Sequence, residues 1–260
     1  MTNDHLKQVA KFLADYSATL IGSGVHTSRT VRNTKRIGCA LGTDVHLNLS
    51  MKTMTLTVGD ERSGEVITEV IDIPTLPIKF VLNSELSALS WEVHDRGLTI
   101  EETELRYKEI LGKSNRQTFL QVWLLISAAN ACFCALFGGD ALACILVALA
   151  TAVGFYVRKS LIERGLNAYV AITIAATISS GIPALAIFLQ YPTTAPDTAL
   201  ATSVLYIIPG VPLINGIIDI VEGHTLSGVS RLIHCTLIIL SIACGMAITL
   251  LLTTGSIAKI

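Results

Sequence analysis

The chain has 260 residues, of which 51% are hydrophobic and only 15% are charged, against about 25% charged in an ordinary soluble domain. The net charge of −1 and the lack of a basic stripe argue against a nucleic-acid-binding protein, and the hydrophobic content argues against a disordered one. Of the 19 lysines and arginines, 14 precede residue 117, as do 15 of the 20 acids. We therefore expect a polar domain, residues 1–116, followed by a membrane domain, residues 117–260.

The polar domain begins with two predicted helices. Hydrophobic residues recur at spacings of three and four from residue 6 to residue 20, which is typical of an amphipathic helix that ends at the glycine-rich stretch 22–24. A second helix is predicted to begin near Thr27 or Ser28, either of which could cap it, and to end at Leu41 and Gly42.

Strands follow, because hydrophobic and polar residues then alternate. Three strands with one solvent-exposed face are predicted, at residues 45–49, 54–58 and 65–71. Two more helices are predicted after Pro77, one from Ser84 to Arg96 and one opened by Thr99, which forms a capping box with Glu102. The polar half is thus expected to be a small α+β domain.

An enzymatic role of this domain is the first alternative to weigh. Histidines lie close in sequence to possible catalytic partners, at His26, His46 and His94 beside Ser23, Asp44 and Asp95. The stretch 22–24 is neither a G-x-S-x-G nucleophile elbow nor a phosphate loop with its Lys-Ser/Thr. We therefore interpret these as surface and turn residues, and we expect no catalytic residue, no cofactor and no metal site.

The second half predicts an α-helical integral membrane bundle. Five hydrophobic runs are long enough, or nearly so, to cross a hydrocarbon core about 30 Å thick. They lie at about residues 118–137, 141–157, 168–189, 199–220 and 232–252. The second run is short, and Asp140 must lie in a tight turn before it.

Basic residues near the ends of these runs predict the orientation in the membrane. One side carries eight lysines and arginines: Arg106, Lys108, Lys113 and Arg116 before the first run, Arg158, Lys159 and Arg164 in the loop after the second, and Arg231 in the loop before the fifth. The other side carries only Lys259. Since basic residues stay on the cytoplasmic side, the N-terminus is expected in the cytoplasm and the C-terminus outside.

The fourth run carries the most specific pattern. Pro209, Gly210 and Pro212 cannot continue a regular helix, since each proline lacks an N–H and clashes with the preceding turn. An irregular backbone at membrane depth is tolerated only inside protein or beside a water-filled cavity, and transporters use such breaks to bind ions and substrates. Asn215 and Asp219 lie four residues apart and hence on one helical face. We predict a substrate or ion pathway at this break.

Structural interpretations of the same residues stay open. Proline kinks also serve helix packing, and Asp219 lies near the end of its run, where a carboxylate can be hydrated. Thr177 and Ser180 could line the predicted pathway or pack between helices. His234 could lie at the membrane interface or relay protons.

The sequence resembles the threonine/serine exporter family, and among its members the short split form associated with succinate export. The resemblance covers nearly the whole chain. It rests on Leu20-Ile21-Gly22-Ser23-Gly24 with Ala40-Leu41-Gly42, on Phe137-Gly138-Gly139-Asp140 after Cys132-Phe133-Cys134, and above all on Ile208-Pro209-Gly210-Val211-Pro212-Leu213-Ile214-Asn215 with Asp219, Gly223, Gly228 and Arg231.

The resemblance implies secondary export of a small carboxylate or amino acid (succinate, threonine or serine) across the bacterial inner membrane. Long members of the family join this architecture to a second hydrophobic half, so it also implies a separate small membrane subunit and an oligomer in the lipid bilayer. Nothing in the sequence resembles an ATPase motif, which favours an ion gradient as driving force. The alternative function is a membrane-anchored ligand sensor or scaffold with a cytoplasmic binding domain.

Overall fold

A computed structural model of the chain describes residues 3–50, 52–60, 63–114, 118–190 and 192–257. The predicted domain boundary between residues 116 and 117 lies outside these residues. So do Arg116 and Lys259 of the charge argument. The chain divides into two compact units, which we call the mixed unit (Met1–Arg116 with Gly210–Ile233) and the helical unit (Gln117–Pro209 with His234–Ile260).

The mixed unit contains four helices and one sheet from the polar half of the sequence. The helices are α1 (Asn3–Gly22), α2 (Thr27–Ala40), α3 (Phe80–Arg96) and α4 (Ile100–Ser114). The strands are β1 (Asp44–Leu49), β2 (Thr53–Gly59) and β3 (Val66–Asp72). The unit also holds α9 (Gly210–Val221) and the first turns of α10 (Thr225–Ile257).

The three strands form an antiparallel sheet in the order β1-β2-β3, with Val45 opposite Val58 and Val58 opposite Ile67. Alternate side chains of β2 are buried against the helices, as the predicted period of two requires. The core of the unit forms where α1 packs on this face, and it contains Leu13 and Tyr16 with no solvent exposure. The Tyr16 hydroxyl donates to the carbonyl oxygen of Leu86 at 2.8 Å, so α3 is joined to α1 through a buried hydrogen bond.

The predicted capping box of α4 is confirmed. The Thr99 N–H donates to Glu102 Oε2 at 2.9 Å, and the Glu102 N–H donates back to Thr99 Oγ1 at 3.3 Å. The predicted α+β architecture of this part is confirmed as well. The helix predicted from Ser84 starts one turn earlier, at Phe80, with Lys79 as its N-cap.

The helical unit consists of long hydrophobic helices. They are α5 (Phe119–Leu136), α6 (Ala141–Glu163), α7 (Ala168–Phe188), the short α8 (Pro196–Thr202) with a 3₁₀ turn at Leu205–Ile207, and the rest of α10. Within the described residues, four helices (α5, α6, α7 and α10) are long and apolar enough to cross a membrane. A fifth span exists if the α8–3₁₀ segment and α9 count as one broken span.

Two helices extend beyond the predicted runs, which corrects the placement of three basic residues. Arg158 and Lys159 were expected in a loop but lie in the last turns of α6, which continues to Glu163. Arg231 was also expected in a loop, and it lies in the second turn of α10, which begins at Thr225. The predicted runs ended too early because a helix continues through charged residues whose aliphatic stems lie along apolar surface.

Asp140 organises one end of the helical unit. Its carboxylate caps α6 by accepting the Ala143 N–H at 2.7 Å, and it also accepts the Thr194 N–H at 2.6 Å and the Thr193 and Thr194 hydroxyls. The backbone hydrogen bonds from Ala143 and Thr194 lower the pKa of Asp140 from 3.8 to about 2. One carboxylate thus joins the α5–α6 turn to the connection between α7 and α8.

The contact between α1 and the segment after β3 gives a test of this fold. A Cβ on Gly22 would collide with the backbone carbonyl oxygen of Pro74, whereas a Cβ on Gly112 of α4 would meet open space. We expect Gly22→Ala to destabilise the mixed unit by about 1–3 kcal/mol through overpacking. Gly112→Ala is the matched control and should be neutral or slightly stabilising, since alanine favours a helix.

The measurement is the thermal unfolding midpoint of the purified protein. Equal midpoints for the wild type and Gly22→Ala would contradict the close approach of α1 to Pro74.

Candidate functional site

The predicted helix break is present and lies between the 3₁₀ turn and α9. Ile208 is extended (φ −61°, ψ 126°), as expected of a residue before proline, and neither it nor Pro209 is helical. A new helix, α9, begins at Gly210. Pro212 falls in its first turn, where the missing N–H has no helical acceptor in any case.

The segment after the break is a tight helical hairpin formed by α9 and the start of α10. Gly223 ends α9 with a φ of +89°, and the His224 N–H donates to the Asp219 carbonyl oxygen at 2.7 Å. Gly228 packs directly on α9, since a Cβ there would lie 2.6 Å from the Gly216 carbonyl oxygen. We call residues 210–233 the docking hairpin, because its buried face receives the loop that joins α1 to α2.

Asp219 is the centre of this contact and has no solvent exposure. Its Oδ1 accepts the Thr27 N–H at 2.7 Å, and its Oδ2 accepts the Thr27 hydroxyl at 2.9 Å. The Arg231 Nε lies 3.1 Å from the same Oδ2, and only 16% of the Arg231 side chain is exposed. The carboxylate is therefore paired with a cation and also accepts two hydrogen bonds at the N-terminus of α2, which favours negative charge.

This arrangement corrects the predicted cap of α2. The N-cap is His26, whose side chain makes no capping hydrogen bond, and neither Thr27 nor Ser28 caps the helix. The acceptor comes instead from Asp219, 192 residues further along the chain. Local sequence could not reveal this, because a carboxylate from another element competes with the local hydroxyls for the first free N–H groups.

Asn215 and Arg231 hold the backbone on either side of this contact. The Asn215 amide donates to the Gly24 carbonyl oxygen at 2.7 Å, and Arg231 Nη2 donates to the Val25 carbonyl oxygen at 3.5 Å. His26 Nδ1 lies 3.7 Å from Glu222. The predicted face of Asn215 and Asp219 is thus brought together by the structure, and it binds the α1–α2 loop.

Thr177 and Ser180 lie in the helical unit, where both contact α10. Thr177 Oγ1 donates to the Gly245 carbonyl oxygen at 3.2 Å, and Ser180 Oγ shares a 2.8 Å hydrogen bond with Thr249 Oγ1. Gly245 allows this close approach, because a Cβ there would lie 2.6 Å from the Thr173 carbonyl oxygen. Pro209 also belongs to the helical unit, whereas Gly210, Pro212, Asn215 and Asp219 belong to the mixed unit. The predicted pathway through these residues stays a prediction.

The residues weighed for hydrolase chemistry do not come together. Ser23 Oγ is buried and lies 2.5 Å from Asn83 Oδ1, while His46 and His94 pair with Asp44 and Asp95 in exposed positions at 3.0 Å. Within the described ranges, no group of three His, Cys, Asp or Glu side chains could hold a metal ion.

The fold defines the class of protein. Its described residues form an integral membrane protein with four spans, or five if the helices on either side of Pro209 count as one broken span, and with a small α+β part. Comparison with known proteins then gives the family. The sequence profile of the threonine/serine exporter family (ThrE) matches residues 11–253, so the chain belongs to this family of membrane transporters.

Two curated relatives are full-length matches. Both are named "Probable succinate transporter subunit YjjP". The one from Klebsiella aerogenes is 25% identical over 245 residues, which cover 94% of this chain and 93% of the relative. The one from Escherichia coli (strain K12) is 26% identical over 253 residues, which cover 96% of each chain. No solved structure matches the chain.

Because Asp219 and Arg231 form a buried ion pair, we expect one substitution to lower the stability strongly and a second one to recover part of the loss. Asp219→Leu should cost about 3–5 kcal/mol, because it leaves the Arg231 guanidinium buried without its counter-charge. For a unit of this size, that corresponds to a fall of roughly 10 °C in the thermal midpoint. Adding Arg231→Met should recover part of the loss. A double variant no more stable than the single one would contradict the pairing.

His26 predicts a pH dependence of stability. Burial lowers the pKa of His26 below its ordinary 6.5, although Glu222 and Asp219 favour the proton and Arg231 and Arg29 oppose it. Folded His26 therefore binds its proton less tightly than the unfolded chain does. The contribution of neutral His26 to the free energy of unfolding is therefore complete above about pH 6.5, and it is lost as the pH falls below that value.

We expect the thermal midpoint of His26→Gln to fall less than that of the wild type between pH 7.5 and pH 5.5. His94→Gln, at an exposed histidine, is the matched control and should follow the wild type. Identical pH profiles for His26→Gln and the wild type would show that His26 does not titrate differently on folding.

Proposed function

We propose that this protein is one subunit of a bacterial inner-membrane secondary exporter of small carboxylates or amino acids. Its membership in the threonine/serine exporter family supports export, and the succinate transporter subunits among its relatives support a carboxylate cargo. A transporter family implies transport rather than enzymatic turnover. A second, small membrane subunit would complete the transporter, in keeping with the word "subunit" in the relatives' names.

The observation that carries the mechanism is the broken backbone at Ile208 and Pro209, followed by a new helix at Gly210. A helix that begins inside a membrane protein directs free N–H groups and the positive end of its dipole toward its N-terminal side, where a carboxylate is favoured. We propose that the substrate is held at this break during alternating access. In this mechanism Asn215 and Asp219 would add polar contacts or couple a proton, and Thr177 and Ser180 would line the pathway.

The contacts of Asp219 add a condition to that mechanism. Its two oxygens already accept from Thr27 and pair with Arg231, so a role in coupling requires these bonds to open during the transport cycle. Protonation of Asp219 would weaken both the ion pair and the interaction with the N-terminus of α2. We propose that Asp219 couples transport to the attachment of the α1–α2 loop.

We propose five spans, with the N-terminus in the cytoplasm and the C-terminus outside. Lys159 and Arg164 at the end of α6, together with the basic residues of α4 before α5, favour this orientation. Arg231 adds little to the argument, since it is paired with Asp219.

The test is efflux from cells loaded with labelled succinate, threonine or serine. We would compare the chain alone, the chain with a small hydrophobic membrane protein as candidate partner, and Pro209→Ala/Pro212→Ala in the same pairing. Restoring a continuous helix should reduce efflux of the exported compound at least tenfold. Pro192→Ala/Pro196→Ala is the control and should retain efflux, since Pro192 lies in the α7–α8 connection and Pro196 is the first residue of α8.

Efflux of one compound that needs both proteins and the proline pair would support the proposal. No efflux of any compound, with both proteins present in the membrane, would favour the sensor or scaffold alternative.

A further inference from the structure

A polar cluster occupies the buried interior of the helical unit, away from the residues discussed so far. One face of α6 carries Thr151, Gly154 and Arg158 at spacings of three and four, so these residues lie one above another. Thr151 and Gly154 are buried. The cluster is completed by Ser179 of α7 and by Tyr206, which lies in the 3₁₀ turn three residues before Pro209.

Gly154 allows the members of this cluster to meet. Ser179 Oγ and the Tyr206 hydroxyl share a 2.9 Å hydrogen bond, and Ser179 also donates to the Ala150 carbonyl oxygen at 3.1 Å. A Cβ at position 154 would collide with both hydroxyls, so only glycine leaves room for them. Tyr206 is thereby fixed beside α6, within electrostatic range of Arg158 one turn further along.

Arg158 differs from the other partly buried arginines. Its Nε is buried, and among the described residues no acceptor lies within hydrogen-bond distance of it. By contrast, Arg231 faces Asp219, and Arg36 donates to Ser90 at 2.7 Å while stacking on Trp91. A buried guanidinium N–H without an acceptor is costly, so this donor favours an acceptor other than the residues that the structure describes.

The acids of the helical unit cannot supply this acceptor. Its sequence contains only three: Asp140, Glu163 and Asp197. Asp140 lies at the opposite end of α6, about 27 Å away at a rise of 1.5 Å per residue, and its oxygens accept from Ala143, Thr193 and Thr194. Glu163 lies 3.6 Å from Lys159, and Asp197 is in the first turn of α8.

We propose that Arg158 binds a carboxylate group of the transported molecule, with the Tyr206 hydroxyl beside it, on the buried face of α6. A guanidinium has a planar fork of donors that matches the two oxygens of a carboxylate, and it stays charged at every physiological pH. The chemical class of ligand is therefore a small mono- or dicarboxylate. This inference rests on the proposed export function, to which it adds a binding residue that the helix break does not provide.

The position of Tyr206 links such a site to the break. Because only Ile207 and Ile208 separate it from Pro209, a ligand that draws the Tyr206 hydroxyl away from Ser179 would act directly on the segment where the helix is interrupted. Arg158 would then bind the charged group, and a movement of Tyr206 would reach the non-helical residues Ile208 and Pro209.

The test measures binding apart from transport. The full-length chain in lipid nanodiscs is heated with increasing succinate or threonine, and the midpoint of unfolding gives the half-saturating concentration. Succinamide, which is neutral, and butane-1,4-diamine, which is positively charged, serve as probes of similar length. We expect succinate or threonine to raise the midpoint of the wild type and the two other compounds to leave it unchanged.

Three variants separate recognition from structure. Arg158→Gln should need about tenfold or more carboxylate for the same shift, since it loses a charge-assisted pair. Arg158→Lys keeps the charge but loses the forked arrangement of donors. Its half-saturating carboxylate concentration should lie between those of the wild type and Arg158→Gln. Lys159→Gln is the matched control: it removes the neighbouring charge, which pairs with Glu163 and lies 3.6 Å from the Phe119 ring centroid, and should bind as the wild type does.

Unchanged binding in Arg158→Gln would overturn the assignment, and so would a wild type that neither carboxylate stabilises. The efflux measurement distinguishes this failure from that of the proposed function. Binding that needs Arg158 in a protein without efflux keeps the carboxylate site and rejects the exporter. Efflux together with unchanged binding in Arg158→Gln keeps the exporter and rejects the carboxylate site.

Discussion

The structure of the mixed unit depends on one buried carboxylate. Asp219 would be costly to desolvate alone, yet it is fully buried because Arg231 supplies the opposite charge and α2 supplies two hydrogen bonds from Thr27. The N-terminus of α2, the turn of the docking hairpin and the glycine-rich loop 22–24 meet at this point. Removing either charge would leave the other buried without a counter-charge. We therefore expect these elements to unfold together.

Much of this fold follows from local sequence. The period of the hydrophobic residues gave α1 and the three strands, and the Thr99 capping box fixed the start of α4, because each of these signals acts over a few residues. Pro209 predicted the helix break for the same reason: its ring disfavours a helical conformation at Ile208. The prolines and Asp219 were also among the predicted site residues.

Partners of charged residues could not be predicted in this way. Asp219 contacts Thr27 across 192 positions of sequence, and the sequence indicates only an orientation signal at Arg231, not its pairing with Asp219. The same holds for Arg158. Arg231 and Arg158 differ in whether an acidic side chain lies close to them in the folded protein. A single sequence does not contain this information. Hydrogen bonds such as those of Ser179 and Tyr206 depend in turn on the close approach that Gly154 allows.

The carboxylate of Asp140 has a consequence for the end of the helical unit that it joins together. Its backbone hydrogen bonds lower its pKa to about 2, so the carboxylate that binds Thr193 and Thr194 stays charged in mildly acidic solution. A moderate fall in pH would therefore leave this end of the helical unit joined, whereas it would charge His26 and weaken the mixed unit.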